Sequence, residues 1–319
     1  MLAGDHSILL NNRFFIYLRL VYNQYKMRIS ILGISVVMLI SGCGPVDKKD
    51  TFEKDHSMWQ ENRIERLKSE TGWLNLAGLY WLKEGENTLG SDSSNSIIFP
   101  DKAPAFIGKY ILKNGLVSFI PHPDTDIKSG DKPATVMDAL SDKSGTPTLL
   151  ETGSFAWFII ERSPMFGIRL RDYEHHSLED FHGIESFPPK KEWVIKAEFE
   201  PFEEPRELLI PTVIGTVEKN ECPGILRFII GDTEQVLYPS SAGEGLFIIF
   251  ADESSGLETY GGGRFLYIDK PGNDNTVNID FNRAYNPPCA FTPFATCPLP
   301  PSENFLSVAV EAGEKFAGH

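Results

Sequence analysis

The densest group of reactive side chains in the sequence lies between Asp280 and Asn286, in the order D-F-N-R-A-Y-N. This segment holds a carboxylate, two amides, a guanidinium and a phenol, and it follows a predicted strand. Loops at strand ends often carry binding and catalytic residues, because a rigid sheet holds them in place. We therefore predict a ligand-binding site here. Its residues would be Arg264, Asp280, Asn282, Arg283, Tyr285 and Asn286.

Three uses of these residues stay open. In the first, they bind a polar small molecule or a glycan without any chemistry. In the second, they belong to a hydrolase that uses Asp280 or Glu314 as acid or base. Arg264 or Arg283 would then stabilise developing negative charge. In the third, the carboxylate and the guanidinium form a structural ion pair, and Asn286 forms a turn.

Glycines before Arg264 do not by themselves indicate a phosphate site. The run Gly261-Gly262-Gly263 permits positive φ or close approach of the backbone to a ligand. No predicted helix follows it, so no helix N-terminus is available to hold an anion.

Cys289 and Cys297 lie eight positions apart in a proline-rich segment. A disulfide between them would close a short loop and contribute roughly 2–3 kcal/mol on the chain-entropy model. Two buried free thiols are the alternative. Cys222 is predicted to be buried and reduced.

Histidines between acidic residues raise the question of a metal site. His175, His176 and His182 stand among Asp and Glu, but their spacing matches no zinc motif, so a solvated acidic loop is favoured. The G-x-S-x-G elbow of serine hydrolases is also absent. We predict neither a metal nor a cofactor.

The region before Cys43 has the pattern of an export signal. Arg28 precedes an apolar run, Ile29 to Ile40, that is too short for a span of roughly 20 residues but has the length of a signal-peptide core. Ile40-Ser41-Gly42-Cys43 resembles the lipobox of bacterial lipoproteins. The alternative is a short buried helix that ends in a chance cysteine.

Four expectations about location follow from this pattern. Residues 1–42 would be a signal segment with its true start at Met27, and residues 43–51 a lipidated tether. Lipid on Cys43 would anchor the protein in a membrane of the bacterial cell envelope. Because Gly44 stands where an Asp would resemble an inner-membrane retention signal, the outer membrane is favoured. The formal net charge of −14 disfavours nucleic-acid partners.

Hydrophobic periodicity predicts a mostly-β protein. A helix is expected over 52–71, a β-sandwich over 72–186, and a second β-rich unit over 187–319 that packs against the sandwich. Short strands separated by Gly, Pro, Asp and Asn support both β units. The predicted strands of the second unit include 193–201, 208–217, 225–230, 246–250, 265–268, 276–281 and 305–310.

Six motifs stand in order along the chain: W-L-N-L-A-G-L-Y-W-L at 73–82, R-L-R-D at 169–172, E-T-Y-G-G-G-R-F-L at 258–266, D-F-N-R-A-Y-N-P-P-C-A-F at 280–291, C-P-L-P-P at 297–301 and E-A-G-E-K at 311–315. Together they resemble the DUF1684 family, a bacterial family of unknown function. The resemblance implies no activity.

A weaker resemblance concerns the first β unit. The segment L-G-S-D-S-S-N-S-I-I-F-P at 89–100 is similar to the start of a forkhead-associated β-sandwich. That family reads phosphothreonine with an Arg at the position where Ser91 stands here. The resemblance therefore implies the sandwich but gives no support for phosphopeptide binding.

Replacing Cys43 with Ala tests the anchor. Without the thiol there is no atom for the diacylglycerol to join, so we expect the variant to leave the membrane fraction. Metabolic labelling with a palmitate analogue, followed by fractionation, measures both effects. If the unaltered protein carries no label, the anchor is disproved.

Overall fold

A long helix opens the part of the chain that the structure, a computed structural model, describes, which is residues 48–316. Helix α1 spans Lys48–Lys68, so it begins and ends a few residues before the predicted range of 52–71. The chain turns sharply at Gly72, where a Cβ atom would collide with the carbonyl oxygens of Arg66 and Leu67. The predicted signal segment and Cys43 lie outside the described residues.

Two sheets form the first β unit. One has the order β1-β11-β10-β9-β6-β7 and the other β3-β2-β4-β5-β8, with antiparallel pairing except between β2 and β3. The strands are β1 Leu76–Trp81, β2 Gly85–Gly90, β3 Ile97–Ile98, β4 Gly108–Lys113, β5 Leu116–Pro121, β6 Lys128–Ser129, β7 Lys132–Pro133, β8 Met137–Asp138, β9 Leu150–Thr152, β10 Phe155–Arg162 and β11 Met165–Asp172.

The core of this unit lies between the two sheets. Alternation along β10 and β11 directs Trp157 and Leu170 inward, and both are fully buried. Trp157 packs edge-on against Phe99, and its Nε1 donates a hydrogen bond to the Tyr110 hydroxyl at 3.1 Å. Buried Trp and Tyr need such partners for their polar atoms. The two-layer arrangement agrees with the predicted sandwich, while the forkhead-associated likeness stays a prediction.

The second β unit follows the short helix α2, Ser177–Asp180. It contains one sheet of order β14-β13-β12-β18 and another of order β15-β16-β17. Its core includes Leu226, Ile248, Phe250 and Phe281. The strands are β12 Val194–Pro211, β13 Val217–Ile230, β14 Thr233–Leu237, β15 Ser240–Ala242, β16 Gly245–Phe250, β17 Arg264–Asp269 and β18 Thr276–Asp280. The mostly-β prediction is confirmed.

Two predicted strands differ from the structure. The range 208–217 is strand only as far as Pro211, where β12 ends. A turn follows, in which Thr212 N donates to Thr216 O at 2.9 Å and Gly215 has a φ of +80°. The range 305–310 is irregular apart from one bridge, in which Leu306 N donates to Ala251 O at 2.9 Å. Ser307 N donates instead to a side-chain atom, Gln235 Oε1, at 3.1 Å.

The two β units contact each other through arginines on the outer face of the first. Arg162 Nε and Arg169 Nη2 donate to Thr296 Oγ1 at 3.1 and 3.3 Å. Burial, together with the nearby Arg162 and Arg171, lowers the pKa of Arg169 to about 10. This contact agrees with the predicted packing of the second unit on the first.

Within residues 48–316, no helix has both the length and the apolar character needed to cross a membrane.

Because of the Trp157–Tyr110 hydrogen bond, the stability of the first core depends on the Tyr110 hydroxyl group. Tyr110→Phe should lower the free energy of unfolding by about 1–3 kcal/mol, because the buried indole N–H then has no acceptor. Urea unfolding measures the change. Tyr267→Phe is the control, since Tyr267 is 58% exposed and its loss of a hydroxyl should change stability by less than about 0.5 kcal/mol. Equal effects of the two substitutions would contradict the role given to the bond.

Candidate functional site

A buried ion pair joins helix α1 to the end of the chain. Arg63 Nε lies 2.9 Å from Glu314 Oε1, and both side chains are almost fully enclosed. The second carboxylate oxygen of Glu314 accepts a hydrogen bond from Asn286 N at 2.7 Å. Arg63 Nη2 donates to the Asn286 carbonyl at 2.8 Å. Burial raises the pKa of Glu314, and the charge of Arg63 opposes that rise.

Aromatic rings complete the surroundings of Arg63. Its guanidinium carbon lies 4.7 Å from the centre of the Tyr285 ring and 5.6 Å from that of Phe291. A guanidinium over a ring face is attracted by the ring quadrupole. Arg63 is therefore held by a carboxylate, a carbonyl and two rings, in one geometry.

Arg264 does not line a concavity, contrary to the prediction. Its side chain is fully buried and lies 2.8 Å from Asp252 Oδ2. It also donates to the carbonyl oxygens of Val310 and Ala312. Burial lowers the pKa of Arg264, and Asp252 opposes this effect. Arg264 is thus a structural residue that fixes the irregular segment before Glu314.

Asp280 and Asn282 are also committed to the fold. Asp280 accepts a hydrogen bond from Asn282 N at 3.1 Å and so caps the turn of 3₁₀ helix at Phe281–Arg283. Asn282 is buried and exchanges hydrogen bonds of 2.9 Å with the backbone of Lys190. The structural interpretation of the segment holds for these two residues.

Arg283, Tyr285 and Asn286 are the predicted residues that border cavities. Arg283 is 44% exposed in its side chain, and its Nε lies 3.3 Å from Asp280 Oδ2. Tyr285 and Asn286 follow each other in extended chain, where successive side chains point in opposite directions. They line two different cavities as a result.

Tyr285 belongs to a cavity of about 650 Å³ that we call the arginine–aromatic cleft. One side is formed by helix α1 and the turn after it, and the other by β16, β17 and the segment 283–288. Its arginines are Arg63, Arg66 and Arg283, and its aromatic residues are Trp59, Trp73, Phe247, Phe265, Tyr267 and Tyr285.

Arg66 supplies the unpaired positive charge of the cleft, because Arg63 pairs with Glu314 and Arg283 with Asp280. None of the described residues that line it is an Asp or a Glu. Arg66 is exposed and forms no ion pair with any residue in 48–316. Burial raises the pKa of Tyr285, and the charges of Arg63 and Arg66 act against that rise.

The helix side of the cleft is absent from the predicted site. Trp59, Arg63 and Arg66 are spaced at i, i+4 and i+7, which places them on one face of a helix. That spacing was available in the sequence. The sequence could not show that this face meets the segment 283–288, more than two hundred residues away.

The cysteines are arranged as predicted. Cys289 and Cys297 form a disulfide with their Cα atoms 6.1 Å apart, while Cys222 is a buried free thiol. Burial raises the pKa of Cys222, which favours its unreactive thiol form.

No metal site is found among the described residues, since no three His, Cys, Asp or Glu side chains there are grouped to hold an ion. His175 and His176 lie side by side with ring centres 4.3 Å apart.

Comparison with known proteins finds a family match over part of the chain and no activity. Residues 179–315 match the family DUF1684, described as a protein of unknown function, which confirms the predicted resemblance over that stretch. No curated protein matches the chain. A similar solved structure is the solution NMR structure of an uncharacterized protein of Haloarcula marismortui. Its sequence is 27% identical and its TM-score is 0.37, over 44% of this chain and 80% of that one.

Removing one partner of the Arg63–Glu314 pair should be strongly destabilising. Arg63→Met leaves a buried carboxylate without its partner, for which we expect a loss of about 3 kcal/mol in the free energy of unfolding. The double variant with Glu314→Gln should lose less than the two single losses added together. Urea unfolding of the four proteins gives the coupling energy.

The exposed pair Lys219–Glu207 provides the control for this cycle, because exposed ion pairs contribute little. If Arg63→Met destabilises no more than Lys219→Ala, the pair does not hold the helix in place.

Proposed function

We propose that this protein is a cell-envelope lipoprotein that binds an anionic small molecule with a planar or apolar part. The arginine–aromatic cleft is the observation that carries the proposal. Three arginines and no carboxylate line it, although acidic residues outnumber basic ones by 44 to 30 in the chain. Arg63 and Arg283 have acidic partners outside the lining, so Arg66 is the arginine left to meet an anion. A basic cleft on an acidic protein concentrates anions locally.

The side chains of the cleft suit such a ligand in two ways. Guanidinium groups offer planar pairs of N–H donors that match carboxylate, phosphate and sulfonate oxygens. Phe247 and Tyr267, with ring centres 4.7 Å apart, form an aromatic surface on the opposite wall. A volume of about 650 Å³ is within the range of small-molecule sites.

This proposal narrows the sequence-based expectation of a polar small molecule or a glycan. A neutral glycan would use the aromatic surface but not the unpaired charge of Arg66, which forms no ion pair with any residue in 48–316.

The residues named for the hydrolase alternative are engaged in structural contacts. Glu314 is buried where it borders a smaller cavity, and each of its oxygens accepts a hydrogen bond from Arg63 or Asn286. Arg264 is buried against Asp252, so it does not reach a substrate. Asp280 caps a turn and pairs with Arg283.

The membrane part of the proposal rests on the sequence between Met27 and Cys43. The basic residue, the apolar run and the lipobox-like segment support lipid attachment and a place in the outer membrane. Several acyl chains on one cysteine give a stable anchor, whereas a single chain is marginal.

An aromatic sulfonate, 8-anilinonaphthalene-1-sulfonate, is a suitable probe for the cleft. We expect its fluorescence to rise on binding, and Arg66→Gln to weaken binding about tenfold, as the loss of one charge-assisted hydrogen bond predicts. Thermal stability should stay unchanged, because Arg66 forms no ion pair within residues 48–316. Fluorescence titration and a melting curve measure the two properties.

Lys68→Gln is the matched control. It removes the same charge two positions along the same helix, but Lys68 lies over the Phe181 ring and outside the cleft. Equal weakening by both substitutions would mean that overall charge attracts the probe, and the cleft would not be its site. Equal binding of the neutral analogue N-phenyl-1-naphthylamine would also contradict the proposal.

A further inference from the structure

A second cavity, of about 660 Å³, lies beyond the arginine–aromatic cleft and carries a different chemistry. We call it the Asn286 cavity. It lies between the segment 176–185, which includes helix α2, and the segments 286–291 and 315–316. None of its lining residues belongs to the cleft, so the two cavities have separate walls.

Asn286 lines this cavity and has an unused acceptor. The residue is 2% exposed, and its Nδ2 donates to the carbonyl of Lys315 at 2.9 Å. That bond fixes the orientation of the amide, because a flipped group would set two acceptor oxygens against each other. Asn286 Oδ1 is buried and accepts no hydrogen bond from any described residue.

A buried carbonyl oxygen without a donor is uncommon, since buried polar atoms are nearly always hydrogen-bonded. The peptide group of Asn286 has its partners in Glu314 and Arg63. The unsatisfied acceptor is therefore the side-chain oxygen Oδ1. A ligand with an N–H or O–H group can donate a hydrogen bond to it.

The charge around the cavity distinguishes among such donors. Glu185 is 3.6 Å from Lys315, which also lies 3.3 Å from Glu258, so these two carboxylates share one ammonium. Asp180 is exposed and forms no ion pair with any residue in 48–316. The lining of the cavity therefore holds more acidic than basic side chains, whereas the charged residues of the cleft are arginines.

Part of the remaining lining is apolar, beside the polar His176, Ser177 and His182. Phe181 and Phe291 meet edge-on with ring centres 6.3 Å apart, and Leu74 lies beside them in the lining. A ligand that occupies this space gains by placing an apolar group against the rings.

We propose that the Asn286 cavity binds a primary amine that carries an aromatic or other apolar group. The ammonium donates a hydrogen bond to Asn286 Oδ1, Asp180 supplies the compensating charge, and the apolar group packs against Phe181 and Phe291. This site is independent of the anion site in the arginine–aromatic cleft.

Calorimetric titration with 2-phenylethylamine at pH 8, where exposed imidazoles are neutral, tests the proposal. We expect binding, and about tenfold weaker binding to Asp180→Asn. The control Glu179→Gln changes the neighbouring exposed acid of helix α2, which does not line the cavity, and should leave the affinity unchanged. Asn286→Leu should abolish binding.

Further measurements keep the outcome decisive if Asn286→Leu fails to fold. Phe291→Ala should weaken binding of the amine without removing any charge. Arg66→Gln should leave the affinity for the amine unchanged. The neutral 2-phenylethanol and the anionic 3-phenylpropionate should bind at least tenfold more weakly than the amine. The proposal is overturned if the amine does not bind, if the alcohol binds equally well, or if Asp180→Asn and Glu179→Gln have the same effect.

Discussion

The buried ion pair between Arg63 and Glu314 is the constraint on which the rest of the site depends. Two opposite charges out of water are tolerated only when both are present and hydrogen-bonded. Here the pair joins residues 251 positions apart and recruits the peptide group of Asn286 on both its donor and acceptor sides. Helix α1 therefore has one position against the second β unit, and every wall that the helix contributes is set by that position.

One stretch of extended backbone divides the space around this pair into regions of opposite charge. Tyr285 faces the arginine–aromatic cleft and Asn286 faces the second cavity, because side chains alternate along an extended chain. The cleft presents guanidinium groups and the cavity presents a carbonyl and a carboxylate. Two ligands of different charge, or the two ends of one ligand, would thus lie on either side of the segment that contains Tyr285 and Asn286.

The strands were predictable from sequence where alternation and burial coincide, as in β10, β16 and β17. They were not predictable where side chains replace strand partners, as Gln235 does for Ser307. Within the candidate site, the segment 280–286 was found from its composition, but composition does not distinguish a cap from a ligand contact. Asp280 and Asn282 form hydrogen bonds with backbone groups, and Arg264 forms an ion pair with the enclosed Asp252. Arg63 and Arg66 were missed because their role depends on a contact between the two ends of the described chain.

That contact has a consequence for the order in which the protein is made. Helix α1 is synthesised well before Glu314, which lies 251 positions after Arg63. Until then the guanidinium of Arg63 has no carboxylate to meet, and the aromatic rings of Tyr285 and Phe291 that cover it are also absent. Domains usually fold as they emerge, and contacts between distant residues form late. The first β unit, with its own core between two sheets, has all its strands by Asp172. Helix α1 therefore reaches its final position after this unit has formed, and the cleft is complete only once the chain as far as Glu314 has been made.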